Sequence, residues 1–223
     1  MKSRSTECIP PQSPQPIDAR AIPSVLVKST MKLVLASASP RRAEILKAAG
    51  IRFEIHAPQV NESAVPGETP QQLAERLAAA KAESVARPYA HDKNVIVLGA
   101  DTVVALDGES LGKPRDSADA RVMLRKLRGR EHQVITGISL IRIADGARHT
   151  SSEITRVWFS EMTDREVDHY VRIGEPFGKA GAYAIQGIGG RYIPRIEGCY
   201  FNVVGLPIAR VWKALVDLGW FGA

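Results

Sequence analysis

From residue 32 onward the apolar positions alternate between two rhythms. Residues 32–36 and 94–98 are short continuous apolar runs, the pattern of buried strands, and residues 102–106 continue extended structure. Between them, apolar residues recur every three or four positions, as on one face of a helix. Ser39 is placed to cap a helix, Pro40 suits its first turn and Gly50 stops it. Thr69-Pro70-Gln71-Gln72 reads as a capping box opening a helix to about Ala86. A further helix spans residues 117–127 and closes at Gly129, and Thr163-Asp164-Arg165-Glu166 caps one that ends near Gly174. Residues 133–143 and 150–160 read as two long strands forming a hairpin around Asp145-Gly146. Residues 207–218 predict a last amphipathic helix, with Ile208, Val211, Trp212 and Leu215 on one stripe. The order of elements predicts an α/β fold, a mixed sheet with flanking helices and no internal repeat.

Residues 1–30 break the pattern. Ile9-Pro10-Pro11-Gln12-Ser13-Pro14-Gln15-Pro16 can form neither a helix nor a central strand, and residues 1–30 read as a disordered arm. Met31, directly before the first strand, is a candidate for the true start, so the domain proper is residues 31–223. A chain of 223 residues suits one domain of two lobes or one large α/β domain, and 44% hydrophobic with 24% charged residues fits a globular protein. No apolar run approaches the roughly 20 residues needed to span a bilayer. The first residues lack the apolar centre of a secretion signal. Cys8 and Cys199 alone offer no disulfide framework and no cysteine zinc site, so a cytoplasmic setting is expected. The net charge of +6 describes either a solvated basic surface or an attraction to polyanions. The basic residues are scattered and aromatics make up only 6%, so a small polyphosphate accounts for the charge as well as a duplex does.

Five segments could carry chemistry. Ala36-Ser37-Ala38-Ser39-Pro40-Arg41-Arg42 puts small residues where a strand ends and a helix begins. A helix start offers unpaired N–H groups and positive partial charge to phosphate, Ser37 and Ser39 add hydroxyls, and Arg41 and Arg42 add guanidinium groups. The bland alternative is an ordinary Ser-Pro cap with two solvated arginines, and the glycines of a Walker loop are missing. In Val97-Leu98-Gly99-Ala100-Asp101-Thr102-Val103-Val104 an aspartate interrupts an apolar run. Such a carboxylate either closes a turn, or holds Mg²⁺, or takes a proton from an attacking water. Lys81 continues the helical stripe of Leu73 and Leu77, where it either snorkels to solvent or faces a phosphate. Lys113 stands in the turn Leu111-Gly112-Lys113-Pro114. In residues 178–187, small residues permit close approach, and Gln186 carries the donor and acceptor needed to read a base edge. Glu62 lies in a polar loop with no special pattern. The histidines lack ligand spacing, and no spacing supports a triad of Ser37, His132 and Asp101.

Taken in order, these blocks resemble the Maf family. The match runs through Leu35-Ala36-Ser37-Ala38-Ser39-Pro40-Arg41-Arg42, Gly99-Ala100-Asp101-Thr102, Gly112-Lys113-Pro114, Lys179-Ala180-Gly181-Ala182-Tyr183-Ala184-Ile185-Gln186-Gly187 and Asn202-Val203-Val204-Gly205-Leu206-Pro207, from about residue 32 to the C-terminus. The resemblance implies a nucleoside triphosphate pyrophosphatase that cleaves between the α and β phosphates with a divalent metal, Mg²⁺ or Mn²⁺. It implies an elongated mixed α/β sheet with flanking helices and a cleft between two lobes, often in a homodimer. The Ala-Ile-Gln-Gly form of the fourth block resembles the members acting on dTTP and UTP. By the same resemblance Asp101 is the proton acceptor, Arg41, Thr102 and Gln186 set specificity, and Ser37, Glu62, Lys81 and Lys113 contact phosphate and metal, the metal falling to Asp101 with Glu62. The chain departs from the family pattern at Gly178, where many relatives have aspartate, and at Cys199, where serine is common. The partners expected are a nucleoside triphosphate and no stable nucleic-acid complex or membrane. Two alternatives remain at this level: a nucleotide-sensing or nucleic-acid-binding regulator of septum formation that hydrolyses nothing, and a pyrophosphatase for modified or purine nucleotides.

Overall fold

The computed structural model describes residues 31–220, so the proline-rich arm, with Cys8, lies outside the described residues. The chain runs through β1 (Lys32–Ala36), α1 (Pro40–Ala48), β2 (Phe53–Ile55), α2 (Pro70–Ala86), β3 (Val95–Leu106), β4 (Glu109–Leu111) and α3 (Ser117–Leu127). It continues through β5 (Glu131–Arg142), β6 (Arg148–Trp158), α4 (Asp164–Ile173), β7 (Arg195–Glu197), α5 (Tyr200–Val204) and α6 (Ile208–Asp217). The strands form one seven-stranded mixed sheet in the order β2-β1-β3-β5-β6-β7, with β4 added to the far part of β3. β1 lies parallel to β2 and β3, and the remaining pairings are antiparallel.

The caps expected from sequence form where their chemistry allows. Thr69 and Gln72 exchange both bonds of the capping box at α2, and Thr163 and Glu166 do the same at α4, which Gly174 ends with φ +84°. Ser39 occupies the N-cap position of α1, but its hydroxyl makes no cap bond; instead its N–H donates to Ser37 Oγ at 3.2 Å. The two extended pieces expected around Gly99-Ala100-Asp101 are one continuous strand, β3, because β5 pairs with it without interruption from Ile96↔Arg142 to Ala105↔Gln133. Trp212 departs from the expected stripe of α6: Val211, Ala214 and Leu215 are buried, whereas Trp212 is 46% exposed and meets Trp220 edge-on.

Strand alternation divides the core. One face of β3 and β5 packs on α2 through Leu73, Leu77, Val103 and Ile135 and, higher up, through Ala82, Val85 and Val97. α2 lies flush on the sheet because Gly99 and Gly137 leave room for it. A Cβ on Gly99 would lie 2.7 Å from Ala82 N, and one on Gly137 would lie 2.7 Å from Glu75 N. The opposite face carries two clusters. Leu35, Leu98 and Ile138 pack with α1 and α6, and Val104, Val134 and Val157 pack with α3 and α4. Each fully buried leucine among them contributes roughly 2 kcal/mol. The two clusters are the two lobes, set side by side on one sheet.

Candidate active site

The site begins as a gap in the sheet. β1 ends its pairing at Ala36↔Gly99, and β4 begins at Val104↔Leu111. Over residues 100–103, β3 therefore has β5 on one side and, among the described residues, no strand on the other. A cleft of about 610 Å³ opens at this edge, beyond the carboxyl end of β1. Asp101 and Thr102 point to opposite faces of β3, yet both line the cleft because the edge exposes both faces.

Arg42 organises one wall. It is only 8% exposed, and its guanidinium is consumed by the protein. Nε donates to the Gly205 carbonyl at 2.9 Å, one terminal nitrogen to Ser37 Oγ at 3.0 Å and the Ala100 carbonyl at 2.9 Å, and the other to Thr102 Oγ1 at 3.1 Å. Burial lowers its pKa, opposed by the charge of Asp101. By position alone Arg41 and Arg42 are equal candidates for phosphate, or equally solvated arginines. The structure separates them: Arg42 braces the wall, and Arg41 lines the cleft with no bond to another described residue. A signal was available, because Arg42 stands three and four positions before Ile45 and Leu46 and so shares their buried face. Ser37 Oγ accepts from both Arg42 and the Ser39 N–H, which leaves its own proton to donate. Thr102 Oγ1 also shares a bond with Thr136 Oγ1 at 2.9 Å. Behind it, the Asn202 amide donates to the Val134 carbonyl and to Thr155 Oγ1, both at 2.9 Å, which fixes α5 and brings Gly205 to Arg42. Cys199 joins this brace through its backbone, exchanging bonds with Thr155 Oγ1.

The opposite wall is a line of alternating charge. Lys81 on α2 places its ammonium 2.6 Å from Asp101 Oδ1 and 2.6 Å from Glu62 Oε1, and Lys113 lies 3.2 Å from Glu62 Oε2. Lys81 thus turns inward on its helical stripe and does not reach solvent. Burial pushes the Glu62 carboxyl up, but the bond and charge of Lys81 and the charge of Lys113 outweigh it and hold it below the usual range. The Lys81 ammonium occupies the point on which two carboxylates converge, so a hard divalent cation here would find two carboxylate donors and would share them with Lys81. No group of three or more His, Cys, Asp or Glu side chains that could hold a metal occurs among the described residues, so a metal here would fill its shell from phosphate oxygens and water.

The third side is a strap of residues 183–189. Its first residue, Tyr183, is buried, with its hydroxyl 2.7 Å from His132 Nε2. Burial drives His132 down to about 4. Its Nε2 is taken by Tyr183, it does not line the cleft and it bonds neither Ser37 nor Asp101, which excludes a triad of the three. Gln186 stands exposed at the lip of the cleft with no bond to another described residue. Two further lining residues were not assigned a role from sequence. Lys179 donates to the Glu175 carbonyl at 2.5 Å, and burial and the charge of Arg41 lower its pKa. Gly178, a departure from the family pattern, has φ +72°, a backbone that aspartate tolerates better than most residues.

The eight side chains that the resemblance assigns to the site line this cleft: Ser37, Arg41, Glu62, Lys81, Asp101, Thr102, Lys113 and Gln186. Comparison with known proteins agrees with the order of the motifs. Residues 32–218 match the Maf-like protein family. A dTTP/UTP pyrophosphatase of Carboxydothermus hydrogenoformans is 49% identical over 190 residues, which is 85% of this chain and 100% of that protein. A dTTP/UTP pyrophosphatase of Syntrophotalea carbinolica is 50% identical over 188 residues, 84% of each chain. Among solved structures, the Ham1 protein of Staphylococcus aureus overlaps 57% of this chain and 71% of its own, with a TM-score of 0.41 at 20% identity.

Proposed function

Because this chain belongs to the Maf family, we propose that its cleft hydrolyses dTTP and UTP to the monophosphate and pyrophosphate. The observation that carries this reading is Asp101: a nearly buried carboxylate that lines a cleft with Arg41, Lys81, Lys113 and Lys179, bonded through one oxygen to Lys81. A module that only bound nucleotide would have no use for an anion at that point. Relatives that bear the name dTTP/UTP pyrophosphatase, aligned over most of the chain, support the substrate class.

The chemistry follows from the charges. Asp101 Oδ1 is engaged by Lys81, and Oδ2 is left to accept from a water. That water attacks the α-phosphorus and passes its proton to Asp101. The bond between the α-phosphorus and the bridging oxygen breaks, and pyrophosphate leaves with that oxygen. Lys81, Lys113 and Arg41 neutralise the charge that gathers on the departing group. Ser37, held by Arg42, donates its hydroxyl proton to a phosphate oxygen. A divalent ion, Mg²⁺ or Mn²⁺, would be held by Glu62 with Asp101 and would supply Lewis-acid charge neutralisation; in that role Asp101 gives up its place as base, since Lys81 takes Oδ1 and the free oxygen serves only one of the two. Gln186 and Thr102 meet the pyrimidine, where a wrong base leaves polar groups unpaired.

The test is pyrophosphate release from a panel of pyrimidine, purine and modified triphosphates, with and without Mg²⁺ and Mn²⁺. dTTP and UTP are expected to lead the panel, and Asp101→Asn is expected to lose about 10²–10⁴-fold in kcat. Full activity in Asp101→Asn, or a silent wild-type protein whose nucleic-acid binding falls steeply with salt, would overturn the reading.

A further inference from the structure

Base recognition by Gln186 requires a fixed strap, and the strap is fastened from outside the cleft. Glu175 follows Gly174 at the end of α4. Its carboxylate accepts three bonds: from the Tyr170 hydroxyl at 2.6 Å, the Gly189 N–H at 2.9 Å and the Ile188 N–H at 2.9 Å. The Tyr170 oxygen in turn accepts from the Ala184 N–H at 3.2 Å. Both ends of the segment 184–189 are therefore tied to one Tyr170–Glu175 unit, with Gln186 between the ties. The fit is close on both sides. A Cβ on Gly189 would come within 2.5 Å of the Tyr170 oxygen, and one on Gly187 would collide with the Glu175 carboxylate. Tyr170 is fully buried, and neither it nor Glu175 is among the residues lining the cleft. The Glu175 carbonyl also accepts from Lys179, so one residue orders both the strap and a cation near Arg41.

We propose that Glu175, with Tyr170, is a positioning residue for base selection: it holds Gln186 where a pyrimidine edge is read and takes no part in hydrolysis. This inference rests on the pyrophosphatase reading above. The physical reason is the count of acceptors. A carboxylate can receive three donors on two oxygens, whereas the amide of glutamine has one oxygen and would turn its NH₂ toward at least one of the same donors. Bonds to an ionised acceptor are the strong ones, so the strap has no equivalent fastening in that variant. The carboxyl is held below its usual range: burial pushes it up, and the bonds from Tyr170, Gly189 and Ile188 outweigh that.

The test compares the wild-type enzyme, Glu175→Gln, Tyr170→Phe, Gln186→Ala and the Glu175→Gln/Gln186→Ala double variant on UTP and CTP. Steady-state pyrophosphate release is paired with calorimetric binding of the non-hydrolysable α,β-methylene analogues. In Glu175→Gln the preference for UTP over CTP is expected to fall about tenfold, mostly through KM, with kcat changed less than about threefold. Tyr170→Phe should fall between it and the wild type. In the Gln186→Ala background, Glu175→Gln should move the preference by less than about twofold, because both changes remove the same reading. The inference is overturned by an unchanged preference in folded Glu175→Gln, by an equal loss on both nucleotides, or by a full effect that persists without Gln186. A wild-type protein that binds the two analogues equally overturns it as well. If Glu175→Gln does not fold, Tyr170→Phe decides, and an unchanged preference there sinks the idea. A wild-type enzyme that releases no pyrophosphate overturns the hydrolytic reading alone, since the binding arm reports the strap without turnover.

Discussion

Arg41 and Arg42 are adjacent in the chain and divided in the fold, and the division predicts opposite phenotypes. Arg42→Ala leaves the Ala100 and Gly205 carbonyls and the Ser37 and Thr102 hydroxyls without their shared donor. The expected loss is about 3–5 kcal/mol in urea unfolding, and Arg42→Lys should recover only part, since an ammonium cannot reproduce the fork. Arg41→Ala should leave the midpoint unchanged within about 0.5 kcal/mol and raise KM for the triphosphate. His132 carries a pH dependence. Burial lowers it from 6.5 in the unfolded chain to about 4 in the fold. The unfolded state therefore binds the extra proton between those two values, and stability falls as pH drops through that window. Going from pH 7 to pH 5 should lose about 2 kcal/mol through this group, and His132→Gln should flatten that part of the profile measured by denaturant melts. Of these residue roles, the inward turn of Lys81 was only half legible: its stripe was visible in the sequence, but Asp101 and Glu62, the anions that keep it inside, lie on other elements.

At the scale of elements, local chemistry was readable and long-range pairing was not. The capping boxes at Thr69 and Thr163 satisfy donors within four residues, so the sequence alone places α2 and α4. β2, β4 and β7 are three residues each and exist only because a neighbouring strand pairs with them, so nothing in their own sequence announces them. α5 is likewise five residues held by Asn202 against β5 and β6. The seat of α2 gives a prediction at this level. Gly99→Ala or Gly137→Ala puts a methyl group into the backbone of α2, as the 2.7 Å approaches to Ala82 N and Glu75 N require. The helix must lift, which should destabilise by about 1–3 kcal/mol and draw Lys81 away from Asp101. The measurable consequence is a fall in kcat larger than any change in KM, although neither glycine touches the cleft.

For the whole molecule, the candidate site was legible as an order of motifs, and its geometry was not, because the gap that makes the cleft depends on where β1 stops and β4 starts along β3. That gap gathers Arg41, Lys81, Lys113 and Lys179 around one opening in a chain whose net charge is +6. Such a field draws a polyanion in from a distance and is screened by salt. Raising ionic strength from about 0.05 M to about 0.5 M should therefore lower kcat/KM several-fold through KM, with kcat nearly constant, in initial-rate measurements. The same gap carries a hazard unrelated to chemistry. A bare strand edge is a template on which another molecule's strand can add, and chains so joined precipitate. Here the guanidinium of Arg42 takes the carbonyl of Ala100, one residue past the end of β1, and sets a buried positive charge where the first rung of an intruding strand would form. Losing that arginine would do more than loosen a wall: it would free the Ala100 carbonyl at the start of that edge.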